Sequence, residues 1–170
     1  MKKKILFVGA SFAQVPPIKY AKKMGYYVVA CDQNKKSPGF KYCDESYIIS
    51  TTNKKKIYEL SKKLKINGII TYVSDTASPA VSYVAKNLNL KGLPIKAVNT
   101  LVYKNLFRKF LKKNNFNYPE FKIFRSKEKI NNFIDKIGYP FFIKPIDSSG
   151  SKGVTKVVKK IFIKKAISEA

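Results

Sequence analysis

Three short and almost continuous apolar runs constrain the fold of this chain more than any other feature. They occupy residues 4–9, 26–31 and 68–73, and each is apolar at nearly every position rather than at every second one. A strand that is apolar on both faces must be covered on both faces, which is typical of parallel sheets with helices on either side. Segments with helical periodicity separate the runs, so the sequence predicts an α/β fold with a parallel sheet.

Helix start and stop signals fit the segments between these strands. The prolines at 16–17 stand where a helix can begin, because its first N–H groups have no partner inside the helix. Gly25 stands where that helix can end. Thr52 or Asn53 can cap a second helix over residues 54–65.

The pattern changes after residue 95. Residues 96–114 are mostly helical in pattern, and 121–125 read as a strand. Ser126 is a candidate cap for a helix that runs to Ile137. We therefore predict one domain over residues 1–95 and a second, incomplete one over 96–170.

Two further strands, 141–145 and 153–158, enclose a polar loop. The link between them is too short for the crossover that a parallel pair requires, so we predict an antiparallel hairpin.

The formal net charge of +25 would ordinarily suggest a nucleic-acid partner. Of the 35 basic residues, however, only Arg108 and Arg125 are arginines. Surfaces that read bases favour the planar fork of arginine, and the lysines are spread along the whole chain. We interpret the charge as a lysine-rich solvated surface and predict no specific nucleic-acid partner.

Cysteine, histidine and hydropathy patterns exclude several classes of protein. Cys31 and Cys43 are the two cysteines and histidine is absent, which excludes a disulfide scaffold, zinc sites of the usual kind and Ser–His nucleophiles. No apolar run approaches the roughly 18 residues of a spanning helix. The first run ends at Gly9, too soon for a signal peptide. The sequence predicts a cytoplasmic protein without a membrane partner.

Residues 142–154, Phe-Ile-Lys-Pro-Ile-Asp-Ser-Ser-Gly-Ser-Lys-Gly-Val, carry the strongest chemical signal. A strand ending at Lys144 leads into a loop of small residues with a second lysine, Lys152. Small residues let backbone N–H groups approach a ligand, while hydroxyls and lysines add donors and charge, which suits a polyphosphate. The loop opens a strand rather than a helix, so it is not a Walker A loop. Alone, the segment would also fit an ordinary surface hairpin.

This segment resembles the flap of the ATP-grasp family, whose usual form is Val-Lys-Pro followed by Asp-Gly-Ser-Gly-Ser-Lys/Arg-Gly-Val. Ser148 stands where that pattern often has glycine, which predicts a slightly stiffer loop. The resemblance implies that Lys144 contacts the ATP phosphates. It also implies a flap that closes over them, formed by Ser148, Ser149, Gly150, Ser151, Lys152 and Gly153.

A second segment, Tyr-Lys-Asn-Leu-Phe-Arg-Lys-Phe-Leu at 103–111, resembles the Asp-Lys-x-x-Met-Arg-x-x-Leu helix of the same family. Tyr103 replaces the aspartate. The resemblance implies that Lys104 reaches the nucleotide, and Arg108, four residues later, shares its helix face. A lone lysine on a helix is usually just solvated; here the order of the two lysines and the interval of about 40 residues match the family.

The first 95 residues resemble the pre-ATP-grasp domain, in which loops after strands one, two and four line the acceptor-substrate site. Ligands of open parallel sheets bind at the carboxyl ends of the strands. The resemblance therefore implies a substrate site formed by residues 9–14, 32–33 and 74–76. Its candidate residues are Gly9, Ser11, Asp32 and Asp75. Asp75 fits a second role equally well, because Ser74 or Asp75 can cap the helix that follows.

The resemblance implies a Rossmann-like parallel-sheet pre-ATP-grasp domain followed by a partial α+β ATP-grasp subdomain. The implied parent is an ATP-dependent carboxylate–amine or carboxylate–thiol ligase, similar to the large subunit of carbamoyl-phosphate synthase, that forms an acyl phosphate. Its ligands would be ATP, Mg²⁺, a small carboxylate and an amine. The Mg²⁺ ligands are expected in a missing C-terminal part, since Glu169 is the only acidic residue after Asp147.

We expect these 170 residues alone to be inactive and interpret them as a truncated chain, a proteolytic fragment or the product of a disrupted gene. A homodimer stays open, and no catalytic residue is assigned.

Two other functions stay open from the sequence. Asp32 would bind ribose in a Rossmann-like nucleotide-binding module or an NAD(P)-dependent oxidoreductase, although residues 9–14 lack the Gly-x-Gly-x-x-Gly pattern. A basic nucleic-acid-binding protein is the other alternative, and its binding would depend steeply on salt.

Overall fold

The computed structural model describes residues 2–125 and 131–170. Contacts divide the chain into two compact units, one that ends at Val102 and one that begins at Tyr103. The sequence predicted the boundary between the two domains after residue 95. The structure puts the helix Ile95–Val102 in the first unit, where it packs against the preceding helix.

A four-stranded parallel sheet forms the centre of the first unit. Its strands are β1 (Lys4–Val8), β2 (Tyr27–Asp32), β3 (Glu45–Ile48) and β4 (Gly68–Ile70), in the order β3-β2-β1-β4. All three pairings are parallel. The predicted α/β fold is therefore confirmed, with a fourth strand shorter than the apolar run at 68–73.

The described helices of this unit are α1 (Val15–Lys23), α2 (Lys54–Leu64), α3 (Ser78–Asn87) and α4 (Ile95–Val102). The helix α2 is capped as predicted.

The side chain of Asn53 provides that cap by accepting a hydrogen bond of 3.1 Å from the Lys56 N–H.

The helix α3 has Ala77 at its N-cap and no side-chain capping bond, so the predicted cap by Ser74 or Asp75 is wrong. The chain first makes a turn, in which the N–H groups of Ala77 and Ser78 bond to the carbonyls of residues 74 and 75.

The strands are apolar throughout because alternate residues enter two different cores. Leu6 and Val8 of β1 belong to a cluster that includes residues of α2 and α3. Phe7, between them, belongs to a second cluster with Ile18 of α1. Both faces of the sheet are thus covered, and the carboxyl ends of the strands remain the place where polar loops can gather.

The second unit contains α5 (Lys104–Lys113), α6 (Asn131–Ile137) and α7 (Ile163–Glu169), with the strands β5 (Phe141–Ile143) and β6 (Thr155–Val157). These two strands pair antiparallel, so the predicted hairpin is confirmed.

Ile143 and Val157 of the hairpin pack against Ala166 of α7. The strand predicted at 121–125 is wrong, because those residues carry no strand structure. The proposed cap at Ser126 lies outside the described residues. No helix in the described ranges combines the length and the apolar character that a bilayer crossing requires.

The carboxylate of Glu45 ties the edge strand β3 to β2. The hydroxyls of Tyr27 and Tyr47 each donate to it at 2.7 Å. The hydrogen bond from Tyr47, and then the one from Tyr27, hold the pKa of Glu45 below its ordinary value. The bond to Glu45, followed by desolvation, raises the pKa of Tyr27 to about 12.

We expect Glu45→Gln to reduce the pH dependence of the free energy of unfolding at acidic pH. A carboxyl with a lowered folded-state pKa stabilises the fold above its ordinary pKa, 4.5 for Glu45, and loses that contribution as pH falls through the folded value. Urea denaturation from neutral pH to about pH 3 measures the slope of the unfolding free energy. Glu59→Gln, the same change on exposed α2 surface, is the control; equal slopes in both variants would contradict the role of Glu45.

Candidate functional site

The loop between β5 and β6 is tied to the first turn of α5. The backbone N–H of Lys104 donates to the carbonyl of Ile146 at 2.9 Å. The Lys104 Nζ donates to the carbonyl of Ser148. The first bond also satisfies one of the helix N–H groups that lack an internal partner. The half-buried Lys104 thus holds the start of the loop with both its backbone and its side chain.

The loop turns sharply at small residues. Gly150 and Ser151 adopt positive φ angles of 64° and 59°, and Gly153 has a φ of 67°. A Cβ added at Gly153 would lie 2.7 Å from the Glu169 carbonyl, so this position requires glycine for space as well as for backbone conformation. The Ser148 hydroxyl crosses the base of the loop and donates to the Lys152 carbonyl at 3.0 Å.

A cleft of about 890 Å³ lies beside this loop in the second unit. Five basic side chains line it, those of Lys104, Arg108, Lys122, Arg125 and Lys144, with Glu120 as the one acidic side chain among the described lining residues. The remaining lining is largely aromatic and aliphatic, including Phe121, Phe124, Phe133, Ile134, Phe141, Phe142 and Ile143. Apolar walls with a few converging polar groups are the usual composition of a small-molecule site.

The lysines of this cleft carry uncompensated charge. Neither Lys104 nor Lys144 takes part in the ion pairs of the described residues. Lys144 is exposed, and its Nζ lies 5.3 Å from the ring centroid of Phe142. An aromatic face attracts a cation without neutralising it, so the ammonium remains available to an anionic ligand.

At the carboxyl edge of the parallel sheet, Asp32 joins the loops after β1 and β2. Its two carboxylate oxygens accept from the N–H groups of Ala10 and Asn34, both at 2.9 Å. Gly9 has a φ of 105°, and its N–H donates to the Cys31 carbonyl at 2.8 Å. Both predicted substrate residues therefore shape the main chain of these loops.

Gln14, which lies in the predicted substrate loop after β1 but was not among its named site residues, connects the loops after β1 and β4. Its Oε1 accepts from the N–H of Ser11 at 2.9 Å and lies 2.5 Å from the Ser11 hydroxyl, which donates to it. Its Nε2 donates to the carbonyl of Tyr72. Gln14 is only 3% exposed. An amide in a turn of otherwise small and apolar residues directly after a buried strand was the available signal.

Asp75 differs from the other predicted substrate residues. It is exposed, and its carboxylate makes no hydrogen bond within residues 2–125 and 131–170. Within the same ranges, no group of three or more metal-ligating side chains comes together.

No protein-family model matches the chain. It is 25% identical over 165 residues to the formate-dependent phosphoribosylglycinamide formyltransferase of Prochlorococcus marinus (strain MIT 9515), covering 94% of this chain and 41% of that protein. The enzyme of the same name from Francisella tularensis subsp. holarctica (strain OSU18) is 26% identical over 164 residues, with coverages of 96% and 42%. The chain therefore spans about two fifths of the length of these curated relatives.

Solved structures of similar fold likewise match nearly the whole of this chain and less than half of their own length. N5-carboxyaminoimidazole synthetase from Staphylococcus aureus, complexed with ADP, matches with a TM-score of 0.78 at 19% identity, covering 99% of this chain and 45% of that one. The L-amino acid ligase from Bacillus licheniformis matches with a TM-score of 0.74 at 19% identity, with coverages of 99% and 42%. The chain has the amino-terminal fold of the ATP-grasp family. The predicted resemblance is confirmed.

The ATP-grasp resemblance predicted two groups of site residues, and each group lies within one unit. Lys104, Lys144 and the loop 148–153 lie together in the second unit. In the first unit, Gly9 and Ser11 lie in the loop after β1 and Asp75 lies in the loop after β4. Asp32 is the last residue of β2. Tyr103, which replaces the aspartate of the ATP-grasp pattern, is the N-cap residue of α5 and makes no side-chain capping bond.

We expect Asp32→Asn to destabilise the first unit by about 1–3 kcal/mol, because an amide NH₂ would face a backbone N–H and leave it unpaired. Chemical denaturation measures this loss. Asp75→Asn is the matched control: this exposed carboxylate has no hydrogen-bond partner in the described residues, so unfolding should stay within about 0.5 kcal/mol of wild type. An unchanged stability for Asp32→Asn would show that its carboxylate does not hold the two loops.

Proposed function

We propose that this chain provides the phosphate-binding lysines and loop of an ATP-dependent ligase of the ATP-grasp type, in which ATP activates a small carboxylate for attack by an amine. The proposal extends the shared fold to the activity of a longer protein. The activities of the similar proteins support it, since these proteins include a formate-dependent transferase, a carboxyaminoimidazole synthetase complexed with ADP and an L-amino acid ligase.

One observation carries the proposal for this chain. Lys104 and Lys144, which come from different parts of the sequence, line the same cleft, and Lys104 also bonds to the loop that follows Lys144. Lysine ammonium groups beside a loop of small residues offer a triphosphate charge and several N–H donors. The aromatic and aliphatic walls offer a purine base apolar contact.

In this proposal the residues of the chain act by position and charge. A carboxylate oxygen attacks the γ-phosphorus of ATP, the bond to the β-phosphate oxygen breaks, and ADP leaves. The nitrogen of an amine then attacks the acyl carbon, the bond from that carbon to the phosphate oxygen breaks, and phosphate leaves while the nitrogen loses a proton to solvent. Lys104 and Lys144 neutralise the charge that develops on the phosphate oxygens, which is the main protein contribution to phosphoryl transfer.

We place the acceptor substrate at the carboxyl edge of the parallel sheet. Ser11 and Asp75 are the candidates for direct contact, because both are exposed. Asp32 and Gly9 shape the loops that carry them. Mg²⁺ would add neutralising charge at the phosphates, but the described residues supply no ligand cluster for it, so no step is assigned to a metal.

We expect Mg-ATP to raise the melting temperature of the chain, and Lys144→Ala to weaken ATP binding about 10- to 100-fold. The expected loss corresponds to one hydrogen bond to a charged group, about 1.5–3 kcal/mol. Differential scanning fluorimetry over a range of ATP concentrations measures the stabilisation and yields the affinity. Lys156→Ala, an exposed lysine on the neighbouring strand that does not line the cleft, is the control.

The same assay with NAD and with short duplex DNA tests the two alternative functions, and the assay with ATP tests the proposed one. A shift with NAD but not with ATP would favour the dinucleotide-binding alternative. A shift with short duplex DNA that disappears as salt rises would favour nucleic-acid binding. The absence of any ATP effect at millimolar concentration, or equal effects of Lys144→Ala and Lys156→Ala, would contradict the proposed phosphate site.

A further inference from the structure

Ser148 holds the flap loop through two separate groups. Its carbonyl accepts from the Lys104 Nζ, and its hydroxyl donates to the Lys152 carbonyl at 3.0 Å. We call these two hydrogen bonds the Ser148 latch. The first bond joins the first turn of α5 to the start of the loop, and the second joins the start of the loop to its far side at Lys152.

The latch contains the side-chain hydrogen bonds within the loop, whose own backbone hydrogen bonds are long. Within it, the N–H of Lys152 bonds to the Ser149 carbonyl at 3.4 Å, and the N–H of Val154 to the Ser151 carbonyl at 3.3 Å. Both distances lie beyond the usual range for N–H···O bonds. The two side-chain bonds therefore restrain the middle of the loop, between the bond from the Lys104 N–H to Ile146 at its start and the close packing of Gly153 against α7 at its end.

We propose that Ser148 is a positioning residue that fixes the flap loop and the Lys104 ammonium before a nucleotide binds. This inference rests on the phosphate site proposed above and extends it to a residue that contacts no phosphate through its own side chain. The Ser148 hydroxyl is already used within the loop. Its effect on a ligand is therefore indirect, through the shape of the backbone and the placement of Lys104.

The physical basis is the entropy of ordering a loop. A loop that is already restrained loses less conformational freedom when its N–H groups close on an anion, so less of the binding energy is spent on ordering. The Ser148 carbonyl also limits the positions of a long, flexible lysine side chain. An ammonium has three donors, so Lys104 can keep this bond and still contact a phosphate oxygen.

The structure separates the effect of the hydroxyl from that of the ammonium. Ser148→Ala removes only the bond to Lys152, whereas Ser148→Thr keeps a hydroxyl and should restore it. Lys104→Met removes only the ammonium side of the latch. Matched controls are Ser78→Ala in α3 of the first unit, whose hydroxyl bonds to the Ser74 carbonyl at 3.1 Å, and Lys109→Met on the exposed face of α5.

The first measurement is hydrogen–deuterium exchange of the ligand-free protein, read at the amides of residues 152 and 154. We expect Ser148→Ala and Lys104→Met each to speed exchange there about five-fold, the effect of one hydrogen bond of ordinary strength. Ser148→Thr and both controls should exchange like wild type. Unchanged exchange in Ser148→Ala and Lys104→Met would overturn the latch, whatever the protein binds.

The second measurement is ATP affinity by calorimetry. Ser148→Ala should weaken binding by about the same five-fold factor while lowering the melting temperature without ligand by only about a few degrees, and Ser148→Thr should recover both. Faster exchange with unaltered ATP affinity would show a loop restraint that does not position the phosphate site, and would overturn the proposal. If wild type binds no ATP while exchange still responds to the variants, the proposed function fails and the latch remains.

Discussion

The need to cover both faces of a parallel sheet is the constraint on which the first unit depends. Because β1 and β2 are apolar on both faces, helices must lie on either side, and the loops with polar groups are left at the strand ends. The same constraint brings the loops after β1, β2 and β4 to one edge. Asp32 and Gln14 then fix these loops by accepting and donating backbone hydrogen bonds, so that a few side chains set the shape of the whole edge.

Where burial determines the pattern, the sequence predicted the structure well. The strands β1 and β2, the helix capped by Asn53 and the hairpin β5–β6 follow from apolar runs, a capping residue and a short link. The start of α3 was missed because Ser74 and Asp75, both good capping residues, lie in a turn that precedes the helix. The apolar pattern at 121–125 did not distinguish a strand from an irregular segment that lines a cleft. These residues contribute to the wall of the cleft without pairing as a strand.

The candidate site was predicted by residue type and order rather than by geometry. The two lysines and the loop of small residues could be recognised in the sequence, and the structure places Lys104 and Lys144 in the lining of one cleft. Side-chain partners could not be predicted, since they depend on contacts between residues far apart in the chain. The bond from Lys104 to the Ser148 carbonyl, 44 residues away, is one example. The use of both Asp32 oxygens by backbone N–H groups is another.

The packing of Gly153 beneath the last turn of α7 has a mechanical consequence. Because there is no space for a Cβ between Gly153 and the Glu169 carbonyl, the return of the loop and the position of this helix end cannot change independently. A displacement of the final turn of α7 would press on the backbone of the loop or release it. The carboxyl end of α7 is therefore a support for the loop, in addition to the contribution of Ile167 to the lining of the cleft.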